Sequence, residues 1–307
     1  MIKITDNIEE ANCITHSGNM HADDVFSTAF LELYLGDITV CRTSEVNREK
    51  LRKDAIVYDI GQGEFDHHQE NPRKRENGIT YCSFGLIWSR FGKTYLKEKN
   101  YENIDKLHFA IEKDLVEAID GDDNGMFPKI EVPYKVKTLS EIIKLYNPSY
   151  KAHEDINEQF LKAVSFAKQV IIEEIFHING KIQAEKKVLE GLTKARDHIL
   201  ILDEYLPYLE TLLENDKEKQ IYFIIFPSNR EGYVIRTIPF STEDSRVRVE
   251  FPKSWGGKTD NMLEEESGIK DLNFCHNKLF LASSKTKEAA VLAAKRAITA
   301  HKLVNKK

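Results

Sequence analysis

AIVYDIGQGEFDHHQ, from Ala55 to Gln69, decides the fold through the order of its residue types. Ala55 to Ile60 is a short apolar run of the kind found in buried parallel strands. Asp59 comes near its end, Gly61 and Gly63 permit a tight turn, and Asp66-His67-His68 follows. A carboxylate at a strand end, then two histidines after a glycine turn, sets ligating side chains in the crevice beyond the carboxyl ends of an α/β sheet. Alone, the stretch has plainer readings: His-His pairs arise by chance, and Asp59 could cap the next segment.

The flanking sequence repeats the pattern. Upstream, the strand-like Ala11 to Thr15 runs into THSGNMHADD, which puts His16, His21, Asp23 and Asp24 at a strand-to-helix turn. Downstream, the helical period through Ile119 ends in Asp120-Gly-Asp-Asp-Asn-Gly. Acids at a helix C-terminus are electrostatically poor, and a bound cation would offset the repulsion. Asp120 is the preferred ligand because it directly follows the apolar face, with Asp123 as its rival. Imidazoles and carboxylates together suit zinc, manganese or iron. Separate segments that each place Asp or His beside a strand or helix end predict a metal centre better than any one of them.

Around these sites, helices are predicted over Asp23 to Tyr34, Phe84 to Leu96 and Ile104 to Ile119, with a strand at Ile38 to Arg42. This alternation predicts an α/β domain with a largely parallel sheet over residues 1–150. The Pro-containing stretch Met126 to Tyr134 ends that unit, and a short helix at Thr138 to Tyr146 stops before Pro148. Helical spacing from Glu154 to Phe176, resuming after Asn179-Gly180 toward Leu202, predicts a helical connection over 151–215. Strands at Ile221 to Phe226, Tyr233 to Ile238, Val247 to Phe251 and Leu279 to Leu281, then an Ala-rich helix from Lys287 to Leu303, predict a smaller α/β domain over 216–307.

The composition fits a globular chain of 307 residues: 41% hydrophobic, 31% charged, with 16 Phe and 12 Tyr. The net charge of -6 excludes a general attraction for nucleic acid but not a local basic groove. No apolar run approaches a membrane span, and the start MIKITDNIEE lacks a leader pattern. Cys13, Cys41, Cys82 and Cys275 form no close pair. A cytoplasmic or otherwise intracellular protein with reduced, buried thiols is expected.

On THSGNMHADDVF (15–26), CRT (41–43), VYDIG (57–61), FDHHQ (65–69), SFGLIW (83–88), DNG (123–125), FPKSWGG (251–257) and FCH (274–276), the chain resembles the DHH phosphoesterase superfamily. More closely it resembles the melanocyte-proliferating-gene-one (UPF0160) family of metal-dependent exonucleases. The resemblance implies a DHH-type catalytic domain followed by a DHH-associated-like substrate-binding domain. It implies two divalent ions, manganese first, with zinc, magnesium or iron as alternatives. His16 and His21 would hold one ion, Asp23, His67 and Asp120 the other, and Asp59 both. His68 would contact a phosphate or orient the ligand shell. The chain departs from the superfamily in placing His21 where many members carry a carboxylate.

The expected activity is a phosphodiesterase, foremost an exonuclease on RNA or short oligonucleotides through a two-metal-activated water. Alternatives are hydrolysis of small or cyclic nucleotides, or a non-catalytic, metal-stabilised RNA-binding protein. Asp59, His67, His68 and Arg42 are the candidate catalytic residues. Arg42 could pair with a phosphate or serve a structural ion pair. Arg236, Arg246, Arg248, Lys258 and His276 could hold phosphates or lie on a solvated surface, and Trp255 and Phe274 could stack on a base or pack in a core. A homo-oligomer is left open.

Overall fold

Short parallel strands organise the first part of the chain: β1 (Ile2–Thr5), β2 (Cys13–His16), β3 (Ile38–Thr43) and β4 (Ile56–Val57), in the order β1-β3-β2-β4. The computed structural model describes residues 1–127, 131–151, 153–244 and 246–304. In it the chain divides into two units, Met1–Asn179 and Gly180–Lys307, each with its own sheet. Residues 128–130, within the Pro-containing stretch, and the basic end at 305–307 lie outside the described residues.

In the first unit β2 lies between β3 and β4, so its side chains are buried up to its last residue, His16. Helix α1 (Ala22–Leu35) follows β2 and packs on α2 (Ser83–Glu98), with Phe30 edge-on to Trp88 and Phe26 tilted against Phe84. The expected helix to Ile119 is interrupted. It forms α3 (Ile104–Ile111), a wider π turn over Glu112–Val116 and α4 (Glu117–Asp123), before α5 (Leu139–Ile143). Helix α6 (Ile156–Lys194) runs unbroken through Asn179-Gly180. A glycine in a helix costs only about 1 kcal/mol relative to alanine, too little to break so long an element.

The second unit has a five-stranded mixed sheet, β5-β6-β7-β9-β8: β5 (Ile199–Ile201), β6 (Phe223–Pro227), β7 (Tyr233–Thr237), β8 (Leu272–Cys275) and β9 (Leu281–Ser284). Only the β5–β6 pair is parallel. Helices α7 (Leu209–Asn215), α8 (Asp260–Ser267) and α9 (Lys287–Val304) complete it. Ala290, Ala293, Ala294 and Ala297 of α9 are buried with Phe223, Ile225 and Ile235, small residues that let the helix approach the sheet closely. The helical period read toward Leu202 ends at Lys194, and Ile199–Ile201 is a strand instead. Val247 to Phe251 is not a strand. Val249 and Phe251 are buried, which gives the alternation, but among the described residues the segment forms no ladder beyond the isolated bridge Pro239–Val247.

The architecture is α/β, with one parallel and one mixed sheet. Among the described residues no helix is long and apolar enough to cross a membrane. All four cysteines are buried and free.

Candidate metal centre

The strand register brings the separated ligating residues together. Cys13 and Ile14 of β2 face Ile56 and Val57 of β4, and His16 faces Thr43 of β3. Extending the β2–β4 register by two residues brings Asp59 beside His16. Asp59 there leaves the extended conformation, with φ of 57°, and its N–H donates to the carbonyl of Phe65 at 3.0 Å. Aspartate is among the few non-glycine residues that tolerate this left-handed region. The bend folds the Gly61–Gly63 turn back and delivers Asp66-His67-His68 to the end of β4.

Asp66 holds that turn. Its carboxylate accepts from the Gln62 N–H at 2.6 Å, the His68 N–H at 3.0 Å and the His68 ring at 2.9 Å. Burial raises its pKa, but these bonds outweigh burial and bring it below the ordinary carboxylate value. At α1, the His21 N–H donates to Asp24 at 2.8 Å, which fixes the first turn so that Asp23 and Asp24 both point inward and are fully buried. The Ser83 hydroxyl, at the start of α2, donates to Asp23 Oδ2 at 2.9 Å.

His16 Nε2 lies 3.2 Å from Asp59 Oδ2 and 3.6 Å from Asp24 Oδ2. His67 Nδ1 lies 3.4 Å from Asp59 Oδ1 and 3.8 Å from Asp23 Oδ2, while its Nε2 is 3.1 Å from Asp123 Oδ2. Three sets of ligand atoms fall within 4.8 Å of one another: Asp59, Asp66, His67 and His68; His16, His21 and Asp59; and His21, Asp23 and Asp123. Asp59 joins the first two sets, and His21 the second and third. Two ligand atoms on one ion, each about 2.1 Å from it at tetrahedral or octahedral angles, are roughly 3.0–3.4 Å apart, which matches the closer of these separations. His16 Nε2, Asp23 Oδ1, Asp24 Oδ2, Asp59 Oδ1 and His67 Nδ1 are buried without a hydrogen-bond partner among the described residues. Buried polar atoms rarely go unpaired. These Asp and His clusters can therefore ligate a metal ion, and the donor set suits one.

Without a cation the cluster retains protons. Burial lowers the His16 pKa, but Asp59 and then Asp24 push it up to about 9. His67 likewise reaches about 9, burial being outweighed by Asp123 and Asp23. Burial raises Asp24 to about 7 against the opposing effect of His16. Burial raises Asp23 and Asp59 as well, followed by repulsion from Asp123 on the one and from Asp23 on the other.

Asp120 and Asp123 have different surroundings. Asp123 belongs to the cluster. Asp120, fully buried, accepts from the Cys82 thiol at 2.5 Å and the Gly85 N–H at 3.1 Å, and pairs with Arg75 at 2.7 Å. A Cβ at residue 85 would lie 1.9 Å from Asp120 Oδ2, so this approach requires Gly85. Arg42 donates to the Gly18 carbonyl at 2.8 Å and to Asn157 at 3.2 Å, and lies over the Phe160 ring. It supports the loop between His16 and His21. The side chain of His68 is 61% exposed, against 10% for His67.

In the second unit Arg248 is buried against Asp216, Arg246 pairs with Asp244, and Lys258 with Glu266. Trp255 is in the core and Phe274 is half-buried. Arg236 lines a cleft of about 860 Å³ with Lys278 and Phe280, and His276 accepts from the Lys278 N–H. Sequence reading missed the structural parts of Ser83 and Arg75. Ser83 opens the quoted SFGLIW motif, whereas no pattern distinguishes Arg75 from neighbouring basic residues.

The profile of a family described as "Uncharacterised protein family (UPF0160)" matches residues 12–298. The MYG1 protein of Dictyostelium discoideum is 25% identical over 313 residues, covering 91% of this chain and 94% of its own. Those of Saccharomyces cerevisiae (26%; 96% and 97% covered) and Chlamydia trachomatis (27%; 90% and 92% covered) are similarly related. Among solved structures, the pGpG-specific phosphodiesterase PggH from Vibrio cholerae aligns over 94% of this chain and 97% of its own. Its TM-score of 0.28 and 12% identity are too low to bear on the reaction.

Proposed function

The chain belongs to the UPF0160 family, and from that premise we propose that it is a metal-dependent phosphodiester hydrolase, an exonuclease acting on RNA or short oligonucleotides. The observation that carries the reading is the set of buried, unpartnered ligand atoms on His16, Asp23, Asp24, Asp59 and His67. In this reading the parallel-sheet unit is a DHH-type catalytic domain and the mixed-sheet unit a DHH-associated-like substrate-binding domain. His16, His21 and Asp59 hold one divalent ion, and Asp23, His67 and Asp59 a second, with manganese first and zinc, magnesium or iron as alternatives. When bound, such ions supply a water of lowered pKa and positive charge against the scissile phosphate.

The chain's own groups do the rest. Asp59, in its left-handed conformation, presents its two oxygens to His16 and His67. Asp66 fixes the His68 ring from behind, and the exposed side of that ring faces incoming phosphate. Asp123 accepts from His67 Nε2 and so directs Nδ1 inward, as acceptors behind ligating histidines do.

The test incubates the metal-free chain with manganese, magnesium or zinc and end-labelled RNA, DNA, dinucleotides and pyrophosphate. We expect metal-dependent release of short products from RNA, stepwise from one end. Asp59→Asn keeps a residue that tolerates the bend, and it should lose more than about 100-fold in turnover, since even outer-shell groups are worth 10–100-fold. Undiminished turnover in Asp59→Asn, or metal binding with no phosphoester cleaved, would refute the hydrolase reading.

A further inference from the structure

Beside Asp66 and His67 lies a cleft of about 720 Å³ also lined by Phe65, Tyr81, Arg73 and Arg90, a volume within the usual range for ligand sites. Arg73 and Tyr81 belong to a hairpin. The Tyr81 N–H donates to the Arg73 carbonyl at 3.0 Å, the Arg75 N–H to Ile79 at 2.9 Å, and Lys74 pairs with Thr80. The hairpin turns at Asn77-Gly78, where Gly78 has φ of 87°, a conformation that favours glycine. Arg75 ties it to the helical layer through Glu112 at 2.6 Å and Asp120 at 2.7 Å.

Arg73 is held but not neutralised. Its guanidinium lies 4.5 Å over the Tyr81 ring and reaches Ser89 Oγ at 3.3 Å, with no carboxylate at ion-pair distance among the described residues. Arg90, next in the chain to Ser89 and also lining the cleft, is 62% exposed and meets Glu64 only loosely, at 3.7 Å. Two guanidiniums thus border a groove that begins at Asp66 and His67 of the acidic centre. A substrate with a single phosphodiester needs only that centre; a strand also brings its next phosphate over the cleft.

We infer that Arg73 and Arg90 hold the phosphodiester next to the scissile one, which makes the substrate a single-stranded oligonucleotide with at least two phosphodiesters. This rests on the phosphodiesterase reading above. Guanidinium–phosphate pairs are charge-assisted and often bidentate, so their loss weakens binding without depending on base sequence.

Two measurements on the full chain test it. In manganese, the ratio of KM for a pentanucleotide to KM for a dinucleotide should rise about tenfold in the Arg73→Ala/Arg90→Ala double variant. In the Asp59→Asn background without added metal, anisotropy of a labelled pentanucleotide should show binding weakened about tenfold by the two substitutions, with a shallower salt dependence. Equal binding with and without the arginines, or no binding at low salt when both are present, overturns the cleft assignment. Arginine-dependent binding without metal-dependent turnover of any phosphoester supports the cleft and refutes the hydrolase reading instead. RNA and DNA pentanucleotides in parallel identify the sugar preferred.

Discussion

Two groups of buried carboxylates in the first unit have opposite surroundings. Asp120 meets the Arg75 guanidinium, a thiol and a backbone amide. Asp23, Asp24 and Asp59 meet imidazoles, the Ser83 hydroxyl and the His21 N–H, with no Lys or Arg at ion-pair distance among the described residues. Both sets are acids beside helix or strand ends, and both look alike in sequence. In the first, Arg75 offsets part of the cost of burial, which still raises the Asp120 pKa to about 7. The second is left with repulsion that only protons or a bound cation can offset.

The difference can be broken first at its compensated side. Arg75→Ala removes the cation from a pocket where its side chain is 6% exposed and that of Asp120 is fully buried. Stranding one partner of a buried pair costs about 3–5 kcal/mol, so chemical denaturation should register a loss of that order. Arg75→Lys should recover part of it, less than the native guanidinium, which reaches Glu112 and Asp120 at once. Measured at pH 9, above the value of about 7 to which burial raises Asp120, a loss under 1 kcal/mol would mean that Asp120 stays neutral and that the contrast between the two acid groups is false.

The uncompensated side should respond to pH. His16 and His67 titrate near 9 and Asp24 near 7 in the metal-free fold, and Asp23 and Asp59 are raised too, all above their unfolded values. The folded state therefore holds more protons than the unfolded one between about pH 4 and 9, the aspartates contributing first and the histidines above about pH 6, and its stability falls as pH rises through that window. Metal displaces those protons, so its affinity climbs with pH. Thermal unfolding should give a metal-free Tm that falls by several degrees from pH 6 to 9 while the stabilisation added by excess manganese grows. A flat metal-free profile would break the argument.

The same contrast explains what was legible in the sequence. His16, His21, Asp23, Asp59 and His67 stand at strand and helix ends that periodicity locates, so their convergence could be anticipated. The different surroundings of Asp120 and Asp123 could not be read locally, because Arg75, which pairs with Asp120, is distant in the chain and placed by a hairpin. Strand β4 read longer than it is because Asp59 leaves the extended conformation at a position where the apolar run continues to Ile60. Strand β8 escaped notice because the irregularity between Leu272 and Phe274 spoils the alternation of an already short strand.

The smallest effect isolates positioning from charge. The Ser83 hydroxyl is buried, donates to Asp23 Oδ2 at 2.9 Å and touches the Ser27 hydroxyl at 3.1 Å. Ser83→Ala removes no charge and no ligand, and the fold should lose only about 1 kcal/mol, the usual worth of one hydrogen bond. Asp23, however, loses the donor that fixes its carboxylate. Outer-shell groups of this kind typically contribute 10–100-fold to metal affinity. We expect about a tenfold weakening of manganese affinity by competition titration, with Ser83→Thr recovering most of it if the added methyl is accommodated. Unchanged affinity in Ser83→Ala would mean that Asp23 is held by the α1 backbone alone, and the uncompensated group would then be a preformed cage rather than one oriented from its neighbouring helix.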